Sequence, residues 1–411
     1  MAGPPAFVFA PSDLAGRSPT PRAAATAKRG AAKRLLVGGR VALATPGRLV
    51  LTDACTRLSV SGAELDANVG DLVVVRGVYG RGQLRDAELV ERTVCPVTRG
   101  DGEVARFAWT PAGANLFGRS RVLAEIRGYF ADEAFVEVET PLRVAAPGVD
   151  SHVDALRADG GFLITSPELA LKRLLVGGFP RVYQLGRVFR ADEDGRLHQP
   201  EFTMLEWYRA FSGQESVLRD TERLIARVAR ALRGRPELVT PDGRTLSAKP
   251  PFERISVRDA FRRFAGVKDA ADLAASDEDR YFQLLVDRVE PGLAAFERPV
   301  FLYDYPVSQA ALARPSPADA GVAERFELYA GGIELSNGYG ELTDAVEQER
   351  RFRAERARRK SERRRVYPID RRFLTALREG MPPASGNALG VDRLVLLVTG
   401  AKTIQEVTAF P

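Results

Sequence analysis

From Leu35 to about Val94, short apolar runs alternate with glycine and aspartate: RLLVGGRVAL, GRLVLTD, TRLSVSG, GDLVVVRGVYG and GQLRDAELVER. Five such runs in roughly 60 residues, without a helical period, predict the strands of a small OB-like β-barrel. Gly77, Gly80 and Gly82 fall where tight turns are needed, and no strand–turn–helix pattern surrounds them, which argues against a dinucleotide loop. Tyr79 is the only aromatic residue of the stretch, whereas platforms that bind single strands stack bases on several. Ligand binding, to nucleic acid or protein, and plain packing are equally compatible with this domain.

Ahead of the barrel, residues 1–34 are rich in Ala, Pro and Arg, with Asp13 the only acid and no periodicity, so a disordered tail is expected. Pro4, Pro5, Pro11, Pro19 and Pro21 work against the amphipathic helix of a transit peptide. Residues 96–114 read as a polar linker. The remaining unit, 115–411, opens with a helix predicted over Arg119 to Asp132, whose Val122, Ile126, Tyr129 and Phe130 share a face. A β-type run, FVEVETP, follows and should end or deflect at Pro141.

Composition narrows the chemistry. The 411 residues carry two histidines, His152 and His198, and two cysteines, Cys55 and Cys95, too few for a disulfide framework or a zinc site with four thiolates. No apolar run approaches the ~20 residues of a membrane span, and a cytoplasmic protein is expected. The net charge of +6 is concentrated in Arg350 to Arg365, where ten Lys or Arg face two Glu. That stretch reads as a helix, either a solvated face or an electrostatic dock for an acidic partner.

Four segments of the larger unit carry reactive side chains: Thr165-Ser166-Pro167-Glu168 with the run to Leu175, VYQLGRVFRADEDGRLHQPEFTMLEWY (182–208), ERFELYAGGIELSNGYGELTD (324–344) and GNALGVDRL (386–394). They supply the acids Glu168, Asp192, Glu206, Glu327, Glu334 and Glu341 and the bases Arg190 and Arg393. Carboxylates suit an amine and Mg²⁺, and arginines grip phosphate oxygens in bidentate fashion. Glu327 and Glu334 would point to opposite faces of one straight strand. A turn at Gly331-Gly332 makes the segment a hairpin that brings both carboxylates together across a strand pair.

These segments resemble the three signature motifs of class II aminoacyl-tRNA synthetases, with FVEVETP as motif one, FRADEDGRLHQPEF as motif two and GNALGVDRL as motif three. Within that class the chain resembles the lysyl branch, and most closely the elongation factor P lysyltransferases (β-lysine ligases). The residues that carry this are PVSQAALA (306–313), Ser166-Pro167-Glu168 and MLEWYR (204–209). The resemblance runs from about Trp109 to the C-terminus and does not cover the small β domain, which compact members of that family lack. It implies an α+β class II catalytic fold, an antiparallel sheet flanked by helices, preceded by the OB-like barrel at 35–95.

The implied reaction has two steps: a carboxylate attacks the α-phosphorus of ATP with loss of pyrophosphate, and an amine then takes the aminoacyl group. By the resemblance, Arg190 bridges the α-phosphate and the substrate carboxylate, Phe202 lies under the adenine, and Arg393 caps its other face or reaches the γ-phosphate. Gln199 and Leu335 join the nucleotide contacts, and Gly390 lets the backbone approach. Asp192 stands where the family has a longer acid that accepts from the adenine amine, and Gln199 where it has Asn. Glu327 and Glu334 hold Mg²⁺. Glu168 takes the amine near the substrate carboxylate, with Ser166 beside it, while Glu341 with Tyr208 takes the terminal ammonium. Glu206 adds negative field, and Asn337 bonds the carboxylate. His198 is expected to bond the loop or a phosphate rather than act as a base, His152 to serve structure, and the cysteines to be inert. The implied substrate is lysine or (R)-β-lysine, the acceptor a lysine of elongation factor P, and the assembly a homodimer. The alternatives are a short lysyl-tRNA synthetase that charges tRNA and an idle paralogue that binds nucleic acid.

Overall fold

The computed structural model describes residues 8–15, 34–95, 100, 102–148 and 153–411. It divides into two units, Met1–Phe117 and Gly118–Pro411.

In the first unit, β1 (Val8–Phe9) is followed by a single helical turn at Pro11–Leu14. The five predicted runs form β2 (Arg34–Thr45), β3 (Arg48–Thr52), β4 (Arg57–Ser61), β5 (Leu72–Gly80) and β6 (Gln83–Thr93). They pair in the order β2-β3-β4-β6-β5, and β5 returns to β2, which closes the barrel. Alternate residues such as Leu49 and Leu51, Leu58 and Val60, and Val73 and Val75 fill its interior, the period of two that the sequence displays. Gly62 allows the closure: a Cβ there would lie 1.8 Å from the Ala87 carbonyl oxygen.

The expected tail needs correction where it is described. Val8–Phe9 pairs in parallel with Leu36–Val37, and Phe9 and Leu14 belong to the barrel core. Tyr79 Oη donates to the Leu14 carbonyl at 3.0 Å, and the Asp53 carboxylate accepts from the Ser12 amide at 2.7 Å. Two anchoring side chains are too few to produce a periodic signal. The rest of that expectation, residues 1–7 and 16–33, lies outside the described residues, as do linker residues 96–99 and 101.

Helix α1 runs over Ala112–Asp132, so it starts inside the expected linker. Val122, Ile126, Tyr129 and Phe130 are all buried, and Phe130 stacks on Tyr183 with centroids 4.4 Å apart. The second unit is built on an eight-stranded sheet: β7 (Val136–Glu137), β8 (Arg181–Phe189), β9 (Glu201–Ala210), β10 (Glu253–Ser256), β11 (Val300–Pro306), β12 (Val322–Ala330), β13 (Ile333–Gly340) and β14 (Ala384–Gly390). Its order is β10-β11-β12-β13-β14-β9-β8-β7, antiparallel except for the pairs β10–β11 and β8–β7 at the two edges. Helices flank the sheet: α2 (Glu168–Val176), α3 (Gln214–Arg233), α4 (Ala345–Ser361), α5 (Arg371–Gly380) and α6 (Val391–Thr399).

The expected FVEVETP strand shrinks to β7, parallel to Val182–Tyr183. Beyond it only single bonds hold the segment, Val138 amide to Tyr183 carbonyl at 2.9 Å and Thr140 amide to Gln184 Oε1 at 2.8 Å. The β12–β13 hairpin forms as the spacing predicts. Gly331 and Gly332 turn it with φ of 60° and 81°, the left-handed pair of a tight hairpin turn.

Candidate active site

The four loaded segments meet at one cavity of about 470 Å³ in the second unit. The sheet explains why. The 182–208 segment is the β8–β9 hairpin, with Arg181 opposite Arg209 through Phe189 opposite Glu201. β9 pairs with β14 of motif three, and β14 pairs with β13. Three stretches far apart in sequence thereby become adjacent strands, and the start of α2 with the residues just before it adds Glu168 and Ser166 to the rim.

At one end stand the groups expected to meet a nucleotide. The Arg190 guanidinium lies over the Phe202 ring at 5.2 Å, a cation–π contact, and approaches Glu193 at 3.6 Å. Arg393, which a local reading alone favours as a surface pair with Asp392, reaches into the cavity. It donates to the carbonyls of Glu334 (2.7 Å) and Leu197 (3.3 Å) and to His198 Nε2 at 2.5 Å. A guanidinium can only donate, so Nε2 is the acceptor in this contact, and burial and the Arg393 charge hold the His198 imidazole below its ordinary value. Asp392 instead turns inward, accepting from the Thr203 amide at 2.9 Å and from Arg119. Gln199, Leu335 and Gly390 line the cavity. Asp192 does not: with φ of 62° it is exposed, and its neighbour Glu193 lines the wall. The left-handed residue rotates the acid out and brings the next one in, and nothing in the motif spacing reveals that.

Glu327 and Glu334 both line the cavity from the hairpin, Glu327 opposite Asn337 and Glu334 opposite Tyr329 across a bulge. Their surroundings differ. Glu327 accepts from Tyr305 and Tyr329 at 2.6 Å each on one oxygen, and from Arg325 at 2.6 Å and Asn337 at 3.5 Å on the other. Among the described residues Glu334 meets only Arg393, at 3.6 Å, and its side chain is 41 % exposed to the cavity. Enclosure and the Glu327 charge push its carboxyl upward. A carboxylate held up by a like charge and short of donors fits a divalent cation, which takes one or two carboxylates and completes its shell with water and phosphate oxygens. Among the described residues no group of three or more His, Cys, Asp or Glu is arranged as a metal cage.

The acidic end is deeper than expected. Ser166 and Glu168 line the cavity, as does Asn337, whose Oδ1 has no partner among the described residues. Glu206, Tyr208 and Glu341 are buried behind that wall. Tyr208 Oη and Ser166 Oγ each donate to Glu206 at 2.7 Å, and Ser166 Oγ also accepts from the Glu168 amide at 3.0 Å. Tyr208 therefore serves Glu206 rather than Glu341. Burial and the Glu168 charge push the Glu206 carboxyl up to about 8, and burial pushes Glu341 up to about 7 against the pull of Lys172. Lys172 is the residue that the sequence reading missed. One turn beyond Glu168 on α2, it pairs with Glu168 and, at 2.6 Å, with Glu341. Its i,i+4 spacing from Glu168 was the available signal. His152 lies outside the described residues.

The model of the family described as tRNA synthetases class II (D, K and N) matches residues 106–411. That span contains the whole antiparallel sheet, the cavity and each motif that lines it. The chain belongs to the class II tRNA synthetases (D, K and N), a family of ATP-dependent aminoacyl ligases.

Proposed function

We propose that the protein activates lysine or (R)-β-lysine as an aminoacyl adenylate and transfers it to a lysine side chain of elongation factor P. The observation that carries this reading is the charge in and around the cavity: Arg190 and Arg393 line it together with Glu168, and two further carboxyls, Glu206 and Glu341, are buried next to Ser166 and Lys172. A site so rich in buried acid is costly unless cations join it, and an amino acid with a second ammonium brings the matching charge. The SQAALA segment supports the branch assignment, since Ser308, Gln309, Ala311 and Leu312 line the same cavity.

In this reading Arg190 neutralises charge on the α-phosphate and orients the substrate carboxylate, and Phe202 offers a face to the adenine. Arg393, held by the Glu334 and Leu197 carbonyls, is preorganised for the outer phosphates. Gln199, Leu335 and Gly390 complete the nucleotide contacts. Mg²⁺, when bound with ATP, offsets phosphate charge. Glu334, which lacks a close donor among the described residues, would hold the ion from the protein side, and Glu327, already bonded by Tyr305, Tyr329 and Arg325, would support it from beside. Ser166, Glu168 and Asn337 meet the amino acid first, with Glu206, Tyr208 and Glu341 behind them.

The closed barrel favours a second reading, a short lysyl-tRNA synthetase, because such barrels bind oligonucleotides. One experiment separates the two: ATP–pyrophosphate exchange with α- and β-lysine, then transfer to elongation factor P and to tRNA. Lysine-dependent exchange and a modified protein are expected, with Arg190→Ala slowing exchange by about 10²-fold or more. Charged tRNA beside unmodified protein establishes the second reading. No exchange with any amino acid points to an idle paralogue.

A further inference from the structure

Among the described residues Lys172 is the cation that pairs with both Glu168 and Glu341. Its side chain is 1 % exposed, and its ammonium sits between Glu168 and Glu341, 5.9 Å from the centre of the Tyr208 ring. Glu341 spends one oxygen on this pair, while its other oxygen is buried with no hydrogen-bond partner among the described residues. Glu206 is saturated by Tyr208 and Ser166. Arg314, the other cation facing Glu341, is held by Glu324 at 2.6 Å. The helices behind, α4 and α5, contribute Phe352, Phe373 and Leu377 to the apolar cluster that also contains Tyr208. Three carboxylates thus share one fixed ammonium, and an orphaned oxygen marks where a further donor is missing.

We propose that Lys172 is a specificity residue: a built-in ammonium that offsets part of the acidic charge of the three carboxyl groups and thereby matches the pocket to an amino acid carrying two ammonium groups. The proposal rests on the substrate reading given above. Lys172 pairs with both Glu168 and Glu341 and leaves the other Glu341 oxygen for the distal ammonium of the substrate. The protons that Glu206 and Glu341 hold in the empty pocket leave as the substrate's charges arrive, since burial raises both carboxyls. Without Lys172 the carboxylates would hold additional proton, and a diamine would have to displace it.

The test uses the full chain with Lys172→Met and Lys172→Arg. At pH 7, K172M should raise the KM for lysine in pyrophosphate exchange by about tenfold or more, one pKa unit being a factor of ten. The deficit should shrink towards pH 9, with kcat and the KM for ATP changed far less, and K172R should recover most of the lost affinity. Calorimetry in two buffers of different ionisation enthalpy should show K172M releasing more protons than the wild type on binding lysine or 1,5-diaminopentane. Equal proton release and an unchanged pH profile in K172M overturn the proposal. So does a parallel loss of kcat, ATP affinity and melting temperature in both variants, the mark of a purely structural lysine. Wild-type protein that binds 1,5-diaminopentane with the expected proton release yet exchanges no pyrophosphate with lysine refutes the substrate reading while leaving the role of Lys172 intact. Absence of diamine binding refutes both.

Discussion

At the scale of single residues, Glu206 shows how packing sets the chemistry of a side chain. Its carboxyl is sealed between Ser166 and Tyr208 and faces the Glu168 charge, and it is pushed up to about 8 from an ordinary value of 4.5. The native state therefore holds a proton there that the unfolded chain has already lost. Stability contributed by that proton is present below about pH 4.5 and is lost as pH rises through about 8. Glu206→Gln, which cannot ionise, should remove this slope. In the absence of ligand its melting temperature should fall less than that of the wild type between pH 5 and pH 8.5. Identical falls would mean that Glu206 does not titrate there. Arg190, Glu334 and Arg393 were legible in the sequence because motif order places them. The exchange of Glu193 for Asp192 at the cavity wall was not, because it depends on one left-handed φ.

At the scale of elements, α4 corrects the picture of a basic surface. Asp344 caps it by accepting from the amides of Val346 and Glu347, and its first turns carry Arg350 and Arg351 on Glu347. Arg351 is buried and donates to the Ala313 carbonyl at 2.8 Å, while Arg358 bridges to Glu278 at 2.9 Å. Arg359, fully buried, pairs with Asp154, donates to the Arg365 carbonyl at 2.7 Å and lies 4.7 Å over the Tyr367 ring. Much of the +8 stretch is therefore structural wiring rather than a free field for an acidic partner. Replacing Arg359 by Met should cost roughly 3 kcal/mol, since it strips one side of a buried ionic network. Arg356→Ala, on the exposed face, should stay within about 0.5 kcal/mol. Urea unfolding of both variants checks the contrast, and equal losses would return Arg359 to the solvated surface. The hairpin β12–β13 was readable because two glycines between alternating strands have few other uses. The brevity of β7 was not, because strand length depends on a partner, and only Val182–Tyr183 pairs with it.

At the scale of the whole molecule, the chain joins a barrel with a period of two to a ligase domain whose site is assembled from strands far apart in sequence. Among the described residues no helix is long and apolar enough to cross a membrane. Of the exposed apolar side chains, Val136 lies on β7, Phe179 just before β8, and Leu142 directly after Pro141 at the end of motif one. We expect this edge to pair two copies, and sedimentation at micromolar concentration should give the mass of a dimer. Phe179→Asp should then shift it towards the monomer, and a monomeric wild type would contradict the expectation.

The sequence by itself determined whatever depends on neighbours along the chain. The alternation of apolar residues specified the barrel strands, the glycine pair specified the hairpin, and the order of motifs specified the family and its arginines. Tertiary structure alone decided which acids face the cavity and which stand behind it, that Tyr208 serves Glu206, and that one ammonium, Lys172, pairs with both Glu168 and Glu341. The reason is physical. Backbone propensity acts over a few residues, whereas the charge state of a carboxyl is set by burial and by ions that arrive from α2, β9 and the end of β13, elements that become neighbours only when the sheet closes its register.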